Sequence, residues 1–304
     1  MINRRSFLTS STASLLGTAV VSPFLAGREP SIKFPTEPRK RLAVASYPFR
    51  DRLRLNKGSM KLVEFPEFVV SQFNVPGIEP LNEHFESTDP AYLDRLRGAI
   101  EKARAHVVNI PVSFRESLYD PDSGKRQKAI DESTHWIDVA THLNSPGVRI
   151  HIEGVRGVKP DEGRAAESLK KVAEYGASKN VVVSLENDDP RSEDAFFIVN
   201  IIEKVNNPYL RALPDFCNSM IEKNGDEKFN YDAVKAMFQH AYNISHVKDS
   251  EVDGKKLFKV DMAKTFSIAK AAGYRGYYSM EWEGPTDPVE GTKSLITESL
   301  KNLS

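Results

Sequence analysis

The chain has 304 residues, of which 40% are hydrophobic and 28% are charged. This is long enough for one large globular domain, and α/β barrels commonly use about 250 residues as a single unit. Lysine and arginine together number 42, as do aspartate and glutamate, so the formal net charge is zero. A neutral chain offers no electrostatic footprint for nucleic acid or a membrane surface, and its single cysteine, Cys217, excludes an intrachain disulfide.

The first 27 residues are predicted to be a targeting segment that precedes the folded domain. Arg4 and Arg5 are followed by an apolar pair and by a weakly hydrophobic run rich in Ser, Thr, Ala and Gly. This pattern resembles a twin-arginine (Tat) export signal, which implies a periplasmic or envelope-associated protein. Because polar residues and Pro23 interrupt the run, no stable membrane span is expected. The segment has no clear cleavage site, so retention of an uncleaved segment as an anchor is the alternative to its removal. Residues 28–40, rich in proline and charge, are predicted to be a linker.

From residue 41 onward, short apolar strands alternate with segments of helical period. The predicted strands are Leu42–Ser46, Gly77–Leu81, His106–Val112, Val148–Ile152, Val181–Glu186, Leu210–Asp215, Ile244–Val247 and Tyr277–Glu281. The predicted helices are Lys61–Phe73, Ala91–Ala105, Gln127–Leu143, Glu162–Ser178, Ser192–Val205, Tyr231–Tyr242, Met262–Ala272 and Pro288–Leu300. This alternation, with no hairpin signals, indicates a parallel α/β fold. Because no Gly-rich nucleotide turn follows the first strand, eight units favour a single (β/α)8 TIM barrel over residues 41–304.

Four consecutive predicted strands carry metal-ligating residue types at or near their carboxyl ends. Glu186 ends the fifth strand, Asp215 ends the sixth, His246 lies in the seventh and Glu281 ends the eighth. They are 29, 31 and 35 residues apart, about one βα unit each, so a barrel would bring them to one rim. Without a cation, the three carboxylates would repel one another and lose hydration around the imidazole. The set therefore predicts one divalent ion, and Mn²⁺, Co²⁺, Zn²⁺ or Mg²⁺ would suit these ligands.

At these motifs the chain resembles the sugar phosphate isomerase/epimerase family, the xylose isomerase-like TIM barrels. The segments SLEND, LPDFCN, SHVKD and SMEWEG are similar to that family's metal-site segments, in the same order and at similar spacing. The resemblance covers the whole predicted barrel. It implies that Glu186, Asp215, His246 and Glu281 are metal ligands, and that Glu186 and Glu281 double as a catalytic acid/base pair.

Two positions depart from the ketose epimerases of that family. Those enzymes often have a histidine where this chain has Asn218, and an arginine near the position of Val252. The resemblance is therefore specific for the metal site and unspecific for the substrate.

Six residues are predicted to bind the substrate: Glu79, His84, His151, Asn218, Lys248 and Trp282. Glu79 and His84 lie at or just after the second strand, where a substrate contact, a base or a surface loop are the alternatives. His151 shares one face of the fourth strand with Arg149. If that face points inward, His151 reaches a sugar hydroxyl; if it does not, both side chains pack under a helix. Lys248 is placed to hydrogen-bond an enediolate oxygen, unless it is a solvated loop residue. Trp282 offers an apolar face to a sugar ring, with buried packing as the alternative.

The predicted metal site favours proton abstraction next to a carbonyl. An ion that bridges a carbonyl and an adjacent hydroxyl acidifies the C–H between them, a carboxylate removes the proton, and the metal holds the enediolate. Return of the proton gives an epimer or an isomer, so the first hypothesis is a metal-dependent sugar isomerase/epimerase. The alternatives are a lyase that eliminates the glycosidic oxygen of a 3-keto-glycoside, phosphodiester cleavage as in a related DNA-repair barrel family, and an inactive sugar-binding barrel.

The predicted location and charge help to rank these hypotheses. Export favours the lyase, because cytoplasmic sugar phosphates would be out of reach. Neutral charge and too few additional strand-end ligands argue against a nucleic acid substrate. The expected partner is therefore a small sugar or keto-sugar. The sequence leaves open which sugar is bound and whether the chain forms a homo-oligomer.

Overall fold

Eight parallel strands form a closed barrel in the computed structural model, which describes residues 29–304. The predicted Tat signal lies outside these residues. In chain order, the strand segments are β1 (Leu42–Ala45), β2 (Gly77–Glu79), β3 (His106–Val107), β4 (Ile110–Val112), β5 (Gly147–Ile150), β6 (Val182–Glu186), β7 (Leu210–Leu213), β8 (Ile244–Val247), β9 (Ser250–Asp253), β10 (Lys256–Lys259) and β11 (Tyr277–Met280). β9 and β10 form a separate sheet, and the others form the barrel. The short β3 and β4 together form the third barrel strand, which was predicted as one continuous segment.

Parallel pairing runs around the barrel. One sheet has the order β3-β2-β1-β11-β8 and the other has the order β4-β5-β6-β7. β11 closes the ring beside β1, with Leu42 opposite Tyr278. Between β7 and β8, Asp215 and His246 form a parallel bridge, and the His246 backbone N–H donates to the Pro214 carbonyl at 3.1 Å. The (β/α)8 barrel predicted from the sequence is confirmed.

In residues 29–304, eight helices cover the outside of the barrel: α2 (Phe65–Phe73), α3 (Pro90–Ala103), α4 (Ser123–His142), α5 (Glu162–Lys179), α6 (Ala195–Val205), α8 (Glu227–His240), α9 (Met262–Ala271) and α10 (Pro288–Leu303). The short helices α1 (Arg50–Leu53) and α7 (Asn218–Glu222) lie in the segments that follow β1 and β7. Aspartates cap several helices by accepting hydrogen bonds from first-turn N–H groups. Asp122 caps α4 and Asp226 caps α8, so both helices begin four residues before the predicted start. Within the described residues, no helix is long and apolar enough to span a membrane.

The strands are almost entirely buried because side chains fill the barrel on one face and helices cover the other. β1, β4, β5, β6, β8 and β11 are buried at every position. Burial on both faces explains why most of their residues are apolar. It also means that a charged side chain at the end of such a strand needs a compensating partner.

An antiparallel hairpin, β9–β10, interrupts the βα alternation after β8. The prediction that no hairpin is present was wrong here. Gly254 occupies the first position of the two-residue turn with φ of 60°, a conformation that favours glycine. Glu251 of this hairpin forms a parallel bridge with Glu283, so the hairpin extends the barrel wall beyond the ends of β8 and β11.

The segment before β1 contacts the opposite end of the barrel, where the strands begin. The ring of Phe34 packs edge-on against Tyr242 and Tyr277, with ring centroids 5.3 and 5.7 Å apart. The Tyr242 hydroxyl donates to the Pro30 carbonyl at 2.8 Å. The described part of the predicted linker, residues 29–40, is therefore attached to the barrel, at the end away from the candidate site.

Candidate metal centre

Four side chains converge at the carboxyl ends of the last four barrel strands. Glu186, Asp215, His246 and Glu281 each offer one ligand atom, and these atoms all lie within 4.8 Å of one another. All four residues are buried. The structure therefore brings together the four residues that the strand register predicted as metal ligands.

Glu79 fixes the orientation of the His246 ring. Nδ1 of His246 lies 2.7 Å from Oε1 of Glu186 and 3.1 Å from Oε2 of Glu281, so this nitrogen faces the cluster. Nε2 lies 3.1 Å from both carboxylate oxygens of Glu79. The amide of Asn109 also donates to Glu79, at 2.8 Å. A metal-ligating histidine characteristically donates its second ring N–H to such a carboxylate, so the arrangement fits a metal at Nδ1.

This position differs from the one expected for Glu79. The sequence suggested a substrate contact or a base, but the Glu79 side chain is completely buried behind His246. The reason is that β2 ends inside the barrel wall, so its last side chain reaches across to β8 and does not reach the cavity. Its partners make Glu79 a candidate positioning residue for His246.

Asp215 has an oxygen that lacks a donor. Its Oδ1 accepts hydrogen bonds from the backbone N–H groups of Cys217 at 2.8 Å and Asn218 at 2.7 Å. Its Oδ2 is buried and has no hydrogen-bond partner among the described residues, and the Lys248 ammonium lies 3.6 Å away. Burial raises the pKa of Asp215 to about 7 despite the opposing effect of Lys248. A divalent cation in the cluster would compensate this oxygen, so the residues fit a metal ion.

The charges of the cluster favour a cation at its centre. Burial would lower the pKa of His246, but Glu186, Glu281 and Glu79 outweigh it and raise this pKa well above its ordinary value. The imidazolium thus acts as counter-ion to the surrounding carboxylates. Because a metal ligand must be deprotonated, binding of a divalent ion here would release this proton.

Each glutamate of the cluster has its own cationic neighbour. Nε of Arg149, on β5, lies 2.9 Å from Oε2 of Glu186. On the other side, Nζ of Lys248 lies 3.4 Å from Oε2 of Glu281 and also contacts Glu283. The side chain of Asn218 accepts from Lys248 at 2.8 Å and fixes its position.

The cluster lies at the wall of a cavity of about 200 Å³, and Tyr47, Arg149, Glu186, Asn218, Lys248 and Glu281 are among the lining residues. Sites for drug-sized ligands are generally larger, about 300–1,000 Å³, so this cavity suits a small polar molecule. Asn218 and Lys248, both predicted to bind the substrate, line it. Arg149 was missed as a site residue, although an arginine within a short buried strand was a usable signal.

A family model described as a xylose isomerase-like TIM barrel matches residues 69–303. The chain belongs to this family. The family predicted from the strand-end motifs is thus confirmed, and the match covers all barrel strands except β1. No curated protein sequence showed significant similarity to the chain.

Several solved structures share the fold of this chain. D-psicose 3-epimerase from Clostridium cellulolyticum H10 is 13% identical, with a TM-score of 0.66 over 86% of this chain and 94% of that one. A xylose isomerase-like TIM barrel protein from Mycobacterium smegmatis, in complex with magnesium, is 14% identical, with a TM-score of 0.66 over 86% and 97%. The 3-keto-D-glucoside 4-epimerase from E. coli is 12% identical, with a TM-score of 0.64 over 86% and 99%. These similarities establish the common fold.

Like Glu79, His151 and Trp282 were predicted to bind substrate but do not line the cavity of this xylose isomerase-like barrel. His151 turns toward acidic neighbours, with Nδ1 2.7 Å from Oε2 of Glu193 and Nε2 3.0 Å from Oε2 of Glu153. Trp282 packs against helix α10, where a β-carbon built on Gly291 would lie 2.1 Å from the indole Nε1. Side chains alternate along an extended segment, so Glu281 faces the cavity while Trp282 faces the helix layer.

His84 lies beside the cavity and not in its wall. Its Nδ1 is 2.8 Å from the hydroxyl of Ser46, and the ring is almost completely buried. Burial, assisted by Arg50, lowers the pKa of His84 to about 4, so the ring is neutral near pH 7. It lines a neighbouring pocket between the loops that follow β1 and β2.

A second group of metal-ligating residue types is formed by His151, Asp188 and Glu193. The guanidinium of Arg149 already binds the Asp188 carboxylate and lies 3.9 Å from Oε2 of Glu193. Because this fixed cation compensates the carboxylates, the group is better explained as an ion-pair network than as a second metal site.

Proposed function

We propose that this chain is a divalent-metal-dependent sugar isomerase or epimerase. The observation that carries the proposal is the convergence of Glu186, Asp215, His246 and Glu281 at the wall of a small polar cavity. The fold neighbours named as D-psicose 3-epimerase and 3-keto-D-glucoside 4-epimerase support a keto-sugar substrate for this chain.

Glu186, Asp215, Glu281 and Nδ1 of His246 would hold the ion. Their oxygen and nitrogen donors suit Mn²⁺, Co²⁺, Zn²⁺ or Mg²⁺, and the magnesium complex of the M. smegmatis protein is compatible with this set. When bound, the ion supplies Lewis-acid polarisation of a carbonyl group, which acidifies the adjacent C–H.

Glu281 and Glu186 would be the acid/base pair, with different starting roles. Glu281 lines the cavity. Its contacts to His246 and Lys248 are made by Oε2, whereas its other carboxylate oxygen, Oε1, makes no hydrogen bond within residues 29–304. Glu186 is held at both oxygens, by His246 and Arg149. We therefore assign proton removal to Glu281 and proton return to Glu186.

Lys248 is positioned to stabilise the negative charge that develops on the substrate. Its ammonium lines the cavity, is almost fully buried and is oriented by Asn218. Burial would lower the pKa of Lys248, but Asp215 and the neighbouring glutamates raise it, so the side chain stays charged. A fixed cation in a site that excludes water stabilises an oxyanion more strongly than a solvated one would.

A 3-keto-glycoside lyase is the second candidate, and Tyr47 is the residue that favours it. Tyr47 lines the cavity, and burial together with Glu283 raises the pKa of its phenol to about 12. Like any tyrosine near pH 7, Tyr47 keeps its hydroxyl proton, and its place in the cavity wall positions it to donate to a leaving glycosidic oxygen.

Mass spectrometry of a 3-keto-glycoside incubated with Mn²⁺-loaded protein separates the two candidates. An epimerase conserves the substrate mass, whereas a lyase releases an alcohol or sugar and an unsaturated keto product. If the protein catalyses neither proton exchange with solvent nor elimination on any member of a keto-sugar and 3-keto-glycoside panel, the sugar-binding hypothesis replaces both enzymes. Phosphodiester cleavage is less well supported, because Arg149 already occupies the second acidic group.

We also propose that the protein is exported by the Tat route to the periplasm or envelope. The support is Arg4 and Arg5, followed by an apolar pair and a weakly hydrophobic run. Such a location would give the site access to extracellular glycosides.

A further inference from the structure

A second pocket adjoins the cavity at the carboxyl end of the barrel. This outer pocket has a volume of about 360 Å³ and is lined by Arg50, Arg54, Leu55, Glu83 and His84. Glu83 also lines the cavity that holds the metal-ligand cluster. The two spaces are therefore neighbours with a common wall.

The hydrogen bonds around His84 leave one ring N–H without a partner. The Ser46 hydroxyl accepts from the Leu81 backbone N–H at 2.9 Å, so its own proton is available for Nδ1 of His84, 2.8 Å away. In the neutral ring the remaining proton then lies on Nε2. Nε2 is buried and makes no hydrogen bond to any described residue, although Oε1 of Glu83 lies 3.5 Å away.

The other residues offer both donors and acceptors with little net charge. Arg54 is paired with Asp51, three residues earlier in the chain. Arg50 stacks on the Tyr47 ring, 4.3 Å from its centroid, and Glu83 is 60% exposed with its carboxylate available as an acceptor. A site for an anion would not place a carboxylate beside its buried donor. Hydroxyl groups, which both donate and accept, match this mixture.

The protein holds the outer pocket in place. His84 is bound to Ser46, and Asn82 exchanges hydrogen bonds with the backbone of Ser113 at 2.8 and 3.1 Å. The exposed side chain of Leu55 adds an apolar surface against which a sugar ring can pack. A preorganised pocket loses less entropy on binding than a mobile loop would.

We propose that the outer pocket is a subsite for a second sugar unit, so that the substrate is a glycoside of at least two sugars. The reacting keto-sugar occupies the cavity, and the second ring binds between Arg50, Arg54, Glu83 and His84. This inference rests on the proposed function for the identity of the reacting sugar. The second ring itself is recognised by residues outside the metal-ligand cluster.

The test compares two-sugar and one-sugar ligands on wild-type protein, Arg54→Ala and Arg97→Ala. Arg97 is a matched control because it pairs with Asp94 three residues earlier, as Arg54 does with Asp51, but lies on α3 outside the outer pocket. Isothermal titration with a panel of glucosyl disaccharides, and with glucose and methyl glucosides as one-sugar probes, gives affinities without any turnover.

We expect at least one disaccharide to bind wild type and Arg97→Ala about tenfold more tightly than every one-sugar probe, and Arg54→Ala to lose that preference. His84→Asn, which shortens the donor, should weaken the same disaccharide. Equal affinity for one-sugar and two-sugar probes, or a preference that survives in Arg54→Ala, would overturn the subsite. A disaccharide preference in a protein that turns over no keto-sugar would retain the subsite and refute the proposed enzyme function.

Discussion

Replacement of Glu79 by glutamine tests whether this buried carboxylate positions His246 for metal binding. Two donors converge on Glu79, Nε2–H of His246 at 3.1 Å and the amide of Asn109 at 2.8 Å. A carboxylate accepts both, whereas glutamine has one acceptor oxygen and presents an NH₂ group to the other donor. Glu79→Gln thus preserves the volume of the side chain but leaves one buried donor facing another.

The expected loss is in metal affinity. Removal of a carboxylate that supports a metal-ligating histidine costs about 10–100-fold in affinity, or about 1.4–2.7 kcal/mol. The loss of metal affinity in Glu79→Gln should fall in this range because Glu79 is completely buried and water cannot replace its carboxylate. Titration of chelator-treated protein with Mn²⁺ measures the loss directly.

Glu132→Gln is the matched control, because Glu132 also accepts a hydrogen bond from a ring N–H, that of Trp136 at 3.1 Å, but lies on α4 outside the cluster. Its Mn²⁺ affinity should equal that of wild type. Unchanged affinity in Glu79→Gln would refute the positioning role. Unchanged affinity combined with lost proton exchange would instead indicate that Glu79 is the base, the role first considered from the sequence.

Three further predictions address the chemistry, the acid stability and the location. Glu186→Gln and Glu281→Gln should each retain measurable Mn²⁺ binding but lose at least about 100-fold in substrate proton exchange; near-wild-type exchange would refute the acid/base assignment. The pKa of His84 is about 4 in the folded state and 6.5 in the unfolded state. Neutral His84 therefore contributes stability that is present above pH 6.5 and is lost as the pH falls toward 4. The free energy of unfolding should decrease by up to about 3 kcal/mol over this range. Urea unfolding of chelated protein should therefore show a steeper loss between these pH values for wild type than for His84→Gln, and equal slopes would contradict this. Arg4→Lys combined with Arg5→Lys should retain the protein in the cytoplasm on cell fractionation, and an unchanged periplasmic or envelope yield would remove the export proposal.

The regular spacing of the strands made the fold and the cluster predictable. Each buried strand is short and apolar, so a polar residue at its carboxyl end is conspicuous, and the βα repeat places such residues on one rim. Glu186, Asp215, His246 and Glu281 could be assigned in this way. Trp282 could also have been placed correctly, since alternation from Glu281 puts it on the helix side.

Other features depended on packing between distant parts of the chain. Glu79 and His246 are separated by 167 residues, and no local pattern shows that they meet across the barrel. Arg149 was visible as a charged residue in a buried strand, but its carboxylate partners follow the next strand. The β9–β10 hairpin was missed because its many charged residues obscure the alternation, although glycine at the first position of a two-residue turn, here Gly254, is a common hairpin signal.

The central claim is that the metal-loaded cluster removes a proton next to a sugar carbonyl. NMR in D₂O over a panel of keto sugars and 3-keto-glycosides measures this step, whatever product follows. Reactions are run with Mn²⁺-equilibrated protein and with protein that carries diamagnetic Mg²⁺ or Zn²⁺, and the diamagnetic ions are used for the spectra. We expect deuterium incorporation, or elimination, at the carbon adjacent to the carbonyl of at least one substrate, and loss of this reaction on chelation. Stoichiometric metal binding without exchange or elimination across the panel would contradict it.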